Sequence, residues 1–304
     1  VLQQKYVTIL KCNSKCAAIL AVLVLSCFLV SCASVQKRIF YAETIAKKSN
    51  LKKETLQAKN FSIVTFRKIL DPKKSLHVYI EGDGSAYITK SVVSKNPTPE
   101  NPIALKLAAE DKHANILYIA RPYQFYKESS LTGNEFKYWT TRRFAEEVIN
   151  DVDYVVGLIK KENEIKDIIL IGYSGGGAIA ALVAAKRKDI KLLITVAGNI
   201  DIECHARIQR ITPLKESLNP ANYGKQVGAI PQKHFVGSND KIVPSEVAES
   251  FKEKIKPLEG TFEIIKKDGF THHKGWVKNW NKIIMEACDK VPDSISDKKV
   301  CVAE

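Results

Sequence analysis

The chain has 304 residues, with 47 Lys and Arg against 33 Asp and Glu for a net charge of +14, and a hydrophobic content of 45%. That balance is globular; it excludes a fibre or a disordered chain, and the length suits one large α/β domain or two small ones. The lysines are spread along the sequence rather than blocked together, so they read as a solvated basic surface, and no nucleic-acid motif is present.

Lys5, Lys11 and Lys15 precede an uncharged apolar run from Ala17 to Val30 that ends in Leu29-Val30-Ser31-Cys32. The pattern predicts a secretory signal over residues 1–31. At about 14 residues the run falls short of the ~20 that span a bilayer as a helix. Its last four residues resemble the lipobox of bacterial lipoproteins, which implies cleavage and a lipid on Cys32. Val24-Leu25-Ser26-Cys27 fits that pattern less well. The expectation is a membrane-anchored lipoprotein of the bacterial cell envelope, and Ala33 after the cysteine favours the outer membrane, facing the periplasm. Removing the leader removes Cys12, Cys16 and Cys27. Cys204, Cys288 and Cys301 remain, and either Cys288 and Cys301 close a short loop or all three stay free thiols.

From Val35 to Asn60 the sequence is polar and lysine-rich, which predicts a lipidated tether over residues 32–60 with at most one short amphipathic helix. A compact domain is expected over 61–290, followed by a tail over 291–304. Phe61 to Phe66 alternates as a strand does, and the Asp71-Pro72-Lys73-Lys74 turn predicts a β-hairpin with Leu76 to Ile80. Apolar strands then alternate with helices. The strands are Ile116 to Ala120, Asp167 to Ile171, Lys191 to Val196, His234 to Val236 and Phe262 to Ile265. The helices are Thr141 to Lys161, Gly175 to Lys186, Ser245 to Lys256 and Lys274 to Cys288. Such alternation predicts an α/β fold with right-handed crossovers and a mostly parallel sheet covered on both faces. Gly82 to Pro102 and Arg121 to Thr140 follow strand C-termini and are candidate pocket walls. Gly198 to Gln232 leaves room for a small lid or none.

Ile168 to Ala181 reads as an apolar strand, then Gly172-Tyr173-Ser174-Gly175-Gly176, then a small-residue helix. This is G-x-S-x-G in the strand–turn–helix context of a nucleophile elbow. A serine on so sharp a turn has unfavourable backbone angles, and glycines at 172 and 176 relieve the collisions on either side. The turn presents the Ser174 hydroxyl above the sheet, and the following helix aims free amides at the space an oxyanion would occupy. A serine hydroxyl is a weak nucleophile, so a base and a group that orients it must lie within reach.

From Phe61 to Cys288 the sequence resembles the α/β-hydrolase superfamily, in which the acid and then the histidine follow the serine. The resemblance implies Asp240 as the acid, in the Gly-x-x-Asp turn before Val243-Pro244, with Asp201 as the competitor. It implies His272 as the base, preferred over its neighbour His273. The loop Ile80-Glu81-Gly82-Asp83-Gly84-Ser85 stands where many members have His-Gly-x-Gly, so the amide of Asp83 joins that of Gly175 in an oxyanion hole, and Gly82 and Gly84 let the backbone approach. Glu81 replaces the histidine and is placed to pin the loop by accepting backbone hydrogen bonds. The Asp83 side chain should point away from the oxyanion.

V-Y-I-E-G-D-G at Val78, R-P-Y-Q-F at Arg121, Y-W-T at Tyr138 and T-V-A-G-N-I-D at Thr195 are similar to segments of uncharacterised envelope lipoprotein-type hydrolases. Tyr123 and Lys274-Gly275 stand where that group often carries cysteines, which implies that its disulfides are absent here. The function expected is a serine hydrolase that cleaves a carboxylic ester or thioester through an acyl-enzyme, acting on a small-molecule or lipid-like acyl substrate with no metal or organic cofactor. The same triad would serve a peptidase, an amidase or an acyltransferase, and a hydrolase-like scaffold can also serve as a non-catalytic envelope binding protein.

Overall fold

The computed structural model describes residues 35–89, 91–126 and 133–289. The predicted signal, Cys32, Cys301 and the tail over 291–304 lie outside these residues. Eight strands form one sheet: β1 (Lys52–Gln57), β2 (Ser62–Ile69), β3 (Leu76–Ile80), β4 (Asn115–Ile119), β5 (Ile168–Tyr173), β6 (Ile190–Val196), β7 (Gln232–Gly237) and β8 (Phe262–Lys267). Their order is β1-β2-β4-β3-β5-β6-β7-β8; β2 runs antiparallel to both its neighbours, β1 and β4, and every other pair is parallel. The α/β expectation and its alternation hold.

Helices cover both faces, as a parallel sheet with crossovers requires. Residues 35–48 form a helix, α1. It is followed by α2 (Ile103–Glu110), α3 (Glu146–Glu162), α4 (Gly175–Ala184), α5 (Ile202–Gln209), α6 (Gly224–Val227), α7 (Glu246–Ile255) and α8 (Trp276–Cys288). One core layer joins α1, α2 and α8 to the sheet through Ile39, Leu107, Tyr79 and Trp280. The other joins α3 and α4 through Val152, Val155, Ile179 and Leu170. A smaller cluster around Phe251 and Val247 packs α7 on β7 and β8. Among the described residues no helix is long and apolar enough to cross a membrane.

Two expectations are corrected. The segment proposed as a tether over 32–60 is structured from residue 35: Ile39, Ala42 and Ala46, at helical spacing, are buried, and β1 extends the sheet. Its composition misleads because β1 is an edge strand, and edge strands carry charge that discourages further pairing. The hairpin proposed between β2 and β3 is instead β1–β2, and β4 inserts between β2 and β3. Buried Asn115 explains the insertion. Its Oδ1 accepts the amides of Leu70 and Asp71, and its Nδ2 donates to the carbonyls of Asp71 and Lys74. The turn after β2 is thereby fixed to the start of β4, and β3 is displaced one place further on. Among the described residues Cys204 and Cys288 are free cysteines, and Cys301, the other member of the expected C-terminal loop, lies outside them.

Candidate active site

β5 leaves the sheet at Tyr173 and α4 begins at Gly175. Between them Ser174 sits at φ 52° and ψ −122°, a conformation that persists only when its surroundings hold it. Its amide donates to Val196 O at 3.0 Å, and its carbonyl accepts the amides of Gly177 and Asn199, each at 2.9 Å. The turn is closed so tightly that a Cβ on Gly172 would lie 2.3 Å from Gly176 O, and one on Gly176 would lie 2.2 Å from Ile80 O.

Asp240 and His272 follow β7 and β8 and are both buried. Asp240 Oδ1 accepts the amides of Ile242 and Val243 at 2.8 and 2.9 Å, and Oδ2 lies 2.8 Å from His272 Nδ1. A carboxylate only accepts, so Nδ1 carries the proton and the lone pair of Nε2 faces the Ser174 hydroxyl, 3.0 Å away. The backbone of this histidine is fixed too: its carbonyl accepts from the Tyr173 hydroxyl and the Trp276 indole. The structure thus brings Ser174, His272 and Asp240 into one hydrogen-bonded line.

The two competitors stand elsewhere. His273 is exposed, with Nδ1 2.8 Å from the Tyr173 hydroxyl. Asp201 caps α5 through the Cys204 amide and accepts from Asn219, Ser250 and Lys254. His77 and His234, on strands, have structural partners in Asp111 and Thr195. Among the described residues no group of three His, Cys, Asp or Glu side chains is arranged to hold a metal ion.

Parallel pairing sets Ile80 opposite Gly172, which carries the loop after β3 to the elbow. Gly82 packs against Tyr173 and Ser174, and Gln124 Nε2 donates to its carbonyl at 3.0 Å. Glu81 is buried and accepts from the amides of Gly82, Ala104 and Leu105 and from the Tyr118 hydroxyl. It pins the loop to the start of α2. Burial pushes its carboxyl up to about 7, outweighing donors that favour the charged form. Neither the amide of Asp83 nor that of Gly175 donates to an acceptor among the described residues, so both are available to a developing oxyanion.

The Asp83 side chain is turned onto two guanidinium groups, Arg121 Nη1 at 3.0 Å and Arg143 Nη1 at 2.6 Å. Burial would raise this carboxyl, but the two cations prevail and hold it below the ordinary carboxylate range. The expectation that it points away needs revision. Its Oδ1 lies against the elbow, where a Cβ on residue 175 would come within 2.1 Å. This close approach, rather than the elbow itself, requires glycine at 175. In the sequence neither Arg121, within its R-P-Y-Q-F segment, nor Arg143 carries a local signal for this role. Only the three-dimensional meeting of two strand ends reveals them.

Residues 139–220, which include the elbow, match the family described as Serine aminopeptidase, S33. Among solved structures, the Pyrococcus furiosus esterase Pf2001 superposes with a TM-score of 0.56 at 16% identity, covering 81% of this chain and 95% of that one. The chain has the α/β-hydrolase fold. An alpha-beta serine hydrolase homologue from Coxiella burnetii is similar to this hydrolase at a TM-score of 0.52 and 15% identity, covering 79% of this chain and 97% of that one. The acylaminoacyl peptidase of Pyrococcus horikoshii superposes at 0.58 and 15% identity, over 80% of this chain and 42% of that one. No curated protein matches the sequence. The match over residues 139–220 and the esterase fold support a serine hydrolase, and the hydrogen-bonded line has the geometry that such chemistry needs.

Proposed function

We propose that the chain cleaves a carboxylic ester or thioester, with Ser174 as nucleophile, His272 as base and Asp240 as the group that orients the imidazole. The observation that carries the reading is the continuous line from Asp240 Oδ2 through His272 to Ser174 Oγ, at 2.8 and 3.0 Å. Ser174 Oγ bonds to the acyl carbon as its proton passes to His272 Nε2. The carbonyl oxygen, now negative, takes hydrogen bonds from the Gly175 and Asp83 amides, where one such donor is typically worth about 3 kcal/mol. Collapse breaks the bond to the leaving group, which receives the proton from His272. Water then attacks the acyl-enzyme, gives its proton to His272, and Ser174 is released with the proton returned.

A panel of p-nitrophenyl esters of increasing acyl length, run beside matched anilides, tests this. Wild type should turn over esters, and Ser174→Ala should lose about 10³-fold or more in kcat. Equal rates for the two proteins would end the assignment. Amide cleavage is the second reading. It is favoured by the likeness to an acylaminoacyl peptidase and to the serine aminopeptidase family, and faster turnover of the anilides would select it.

The reading extends to place: a lipid on Cys32 would hold the hydrolase at the bacterial envelope, on the outer membrane, where a lipid-like acyl substrate is at hand. Radiolabelled palmitate should enter the full-length protein and be lost in Cys32→Ser; label retained in the variant would contradict the anchor.

A further inference from the structure

We propose that Arg143 forms an anion subsite beside the oxyanion hole, so that the preferred substrate carries a carboxylate a few carbons from the scissile carbonyl. The inference rests on the hydrolase reading and names its substrate class.

The guanidinium is fixed before any ligand arrives. Arg143 Nε donates to Thr140 O at 2.8 Å and Nη1 to Asp83 Oδ2 at 2.6 Å, and the Arg143 carbonyl accepts from Arg121 Nη2. Nη2 of Arg143 is different: it donates to no group among the described residues, and it is not among their buried unpaired atoms. It therefore offers two N–H donors to solvent from a side chain whose other donors are committed. A planar fork so held loses little freedom on binding a second anion.

Its place follows from contacts already described. Asp83 bridges the two regions, with Oδ1 against Gly175 and Oδ2 on Arg143. The cation is thus one carboxylate away from the amide that faces the developing oxyanion. The proposal puts the acyl carbonyl at Ser174 and a carboxylate at the other end of a short acyl chain, such as succinyl or glutaryl, on Arg143 Nη2.

The surrounding charge agrees. Arg121 and Arg143 share the single carboxylate of Asp83, and the nearby Glu81 carboxyl, which burial raises to about 7, offsets only part of the remaining positive charge at neutral pH. Asp240 is committed to His272 and to two amides. His205, on α5, has Nε2 3.0 Å from Ile242 O. Burial keeps its pKa below the ordinary histidine value, so it adds no charge at neutral pH. The remaining cation attracts an anionic end and disfavours a cationic one.

The test compares two esters of one phenolic leaving group: the glutarate half-ester with its free carboxylate, and the same acyl chain capped as a methyl ester. Wild type should prefer the free acid by about tenfold or more in kcat/KM, the size of one charge-assisted hydrogen bond. That preference should shrink as salt is raised. In Arg143→Gln the ratio should fall to about twofold or less, with Arg143→Lys in between. Wild type that hydrolyses both esters equally, or an Arg143→Gln protein that keeps the preference, would overturn the subsite and leave the hydrolase reading intact. The wild-type ratio and its salt dependence decide the matter even if the variant does not fold. Turnover of neither ester, with Ser174 unreactive to a fluorophosphonate, would overturn the hydrolase reading and the subsite with it.

Discussion

At the scale of single residues, the loop after β3 depends on two carboxylates with opposite electrostatics. Asp83 is compensated by Arg121 and Arg143, whereas Glu81 has no cation in hydrogen-bonded contact and binds amides and a phenol instead. Burial raises the Glu81 carboxyl from 4.5 to about 7. Between those values the folded protein holds more protons than the unfolded chain. The contribution of Glu81 to stability is therefore greatest below about pH 4.5, falls as pH rises, and is lost above about pH 7. Melting temperatures of wild type and Glu81→Gln across pH 4 to 8 should show the wild-type advantage declining over that window. An advantage that grows with pH would mean that the donors outweigh burial and that the carboxylate is the favoured form.

At the scale of elements, the site exists because strand ends are brought to one edge in a fixed register. β3 must lie directly beside β5 for the Glu81 to Gly84 loop to reach Ser174, and the Asn115 side chain fixes the neighbouring β4 to the turn that precedes β3. Asn115→Ala should lose about 2–3 kcal/mol by leaving buried turn amides and carbonyls without partners. A denaturant midpoint unchanged from wild type would show that the turn holds itself. This element marks where sequence reading stopped. Alternation with helices marks the parallel strands from β4 onward, and the inner ones carry the near-continuous apolar run of a strand buried on both faces. β1 had no such signature, since an edge strand rich in charge looks like a linker. The partner of β2 was misread for a related reason: a turn signal states that the chain reverses, and it does not state which strand fills the space beside it.

At the scale of the whole molecule, the site was more legible than the topology around it. Ser174, Asp240 and His272 lie 66 and 32 residues apart in sequence, yet each stands at a strand end, where the fold converges. Elbow glycines, an acid turn and a histidine after the last strand are local signals, and β5, β7 and β8 carry them to one edge. The preference for His272 over His273 rested on spacing alone. In the structure the adjacent imidazole faces away, onto the Tyr173 hydroxyl. The Asp83–Arg121–Arg143 cluster was not legible, because no local pattern links residues from the loops after β3 and β4 with the approach to α3. It is also the part of the site on which the proposed preference for an anionic acyl group rests.

In the proposed mechanism His272, held by Asp240, makes Ser174 a nucleophile. Intact mass after incubation with a fluorophosphonate measures that reactivity without knowledge of the substrate. Wild type should gain one phosphonyl group, mapped to Ser174 by peptide digestion. Ser174→Ala should gain none, and His272→Ala should react at least about a hundredfold more slowly. A folded wild-type protein that stays unlabelled, or a Ser174→Ala protein labelled at the wild-type rate, would contradict the account.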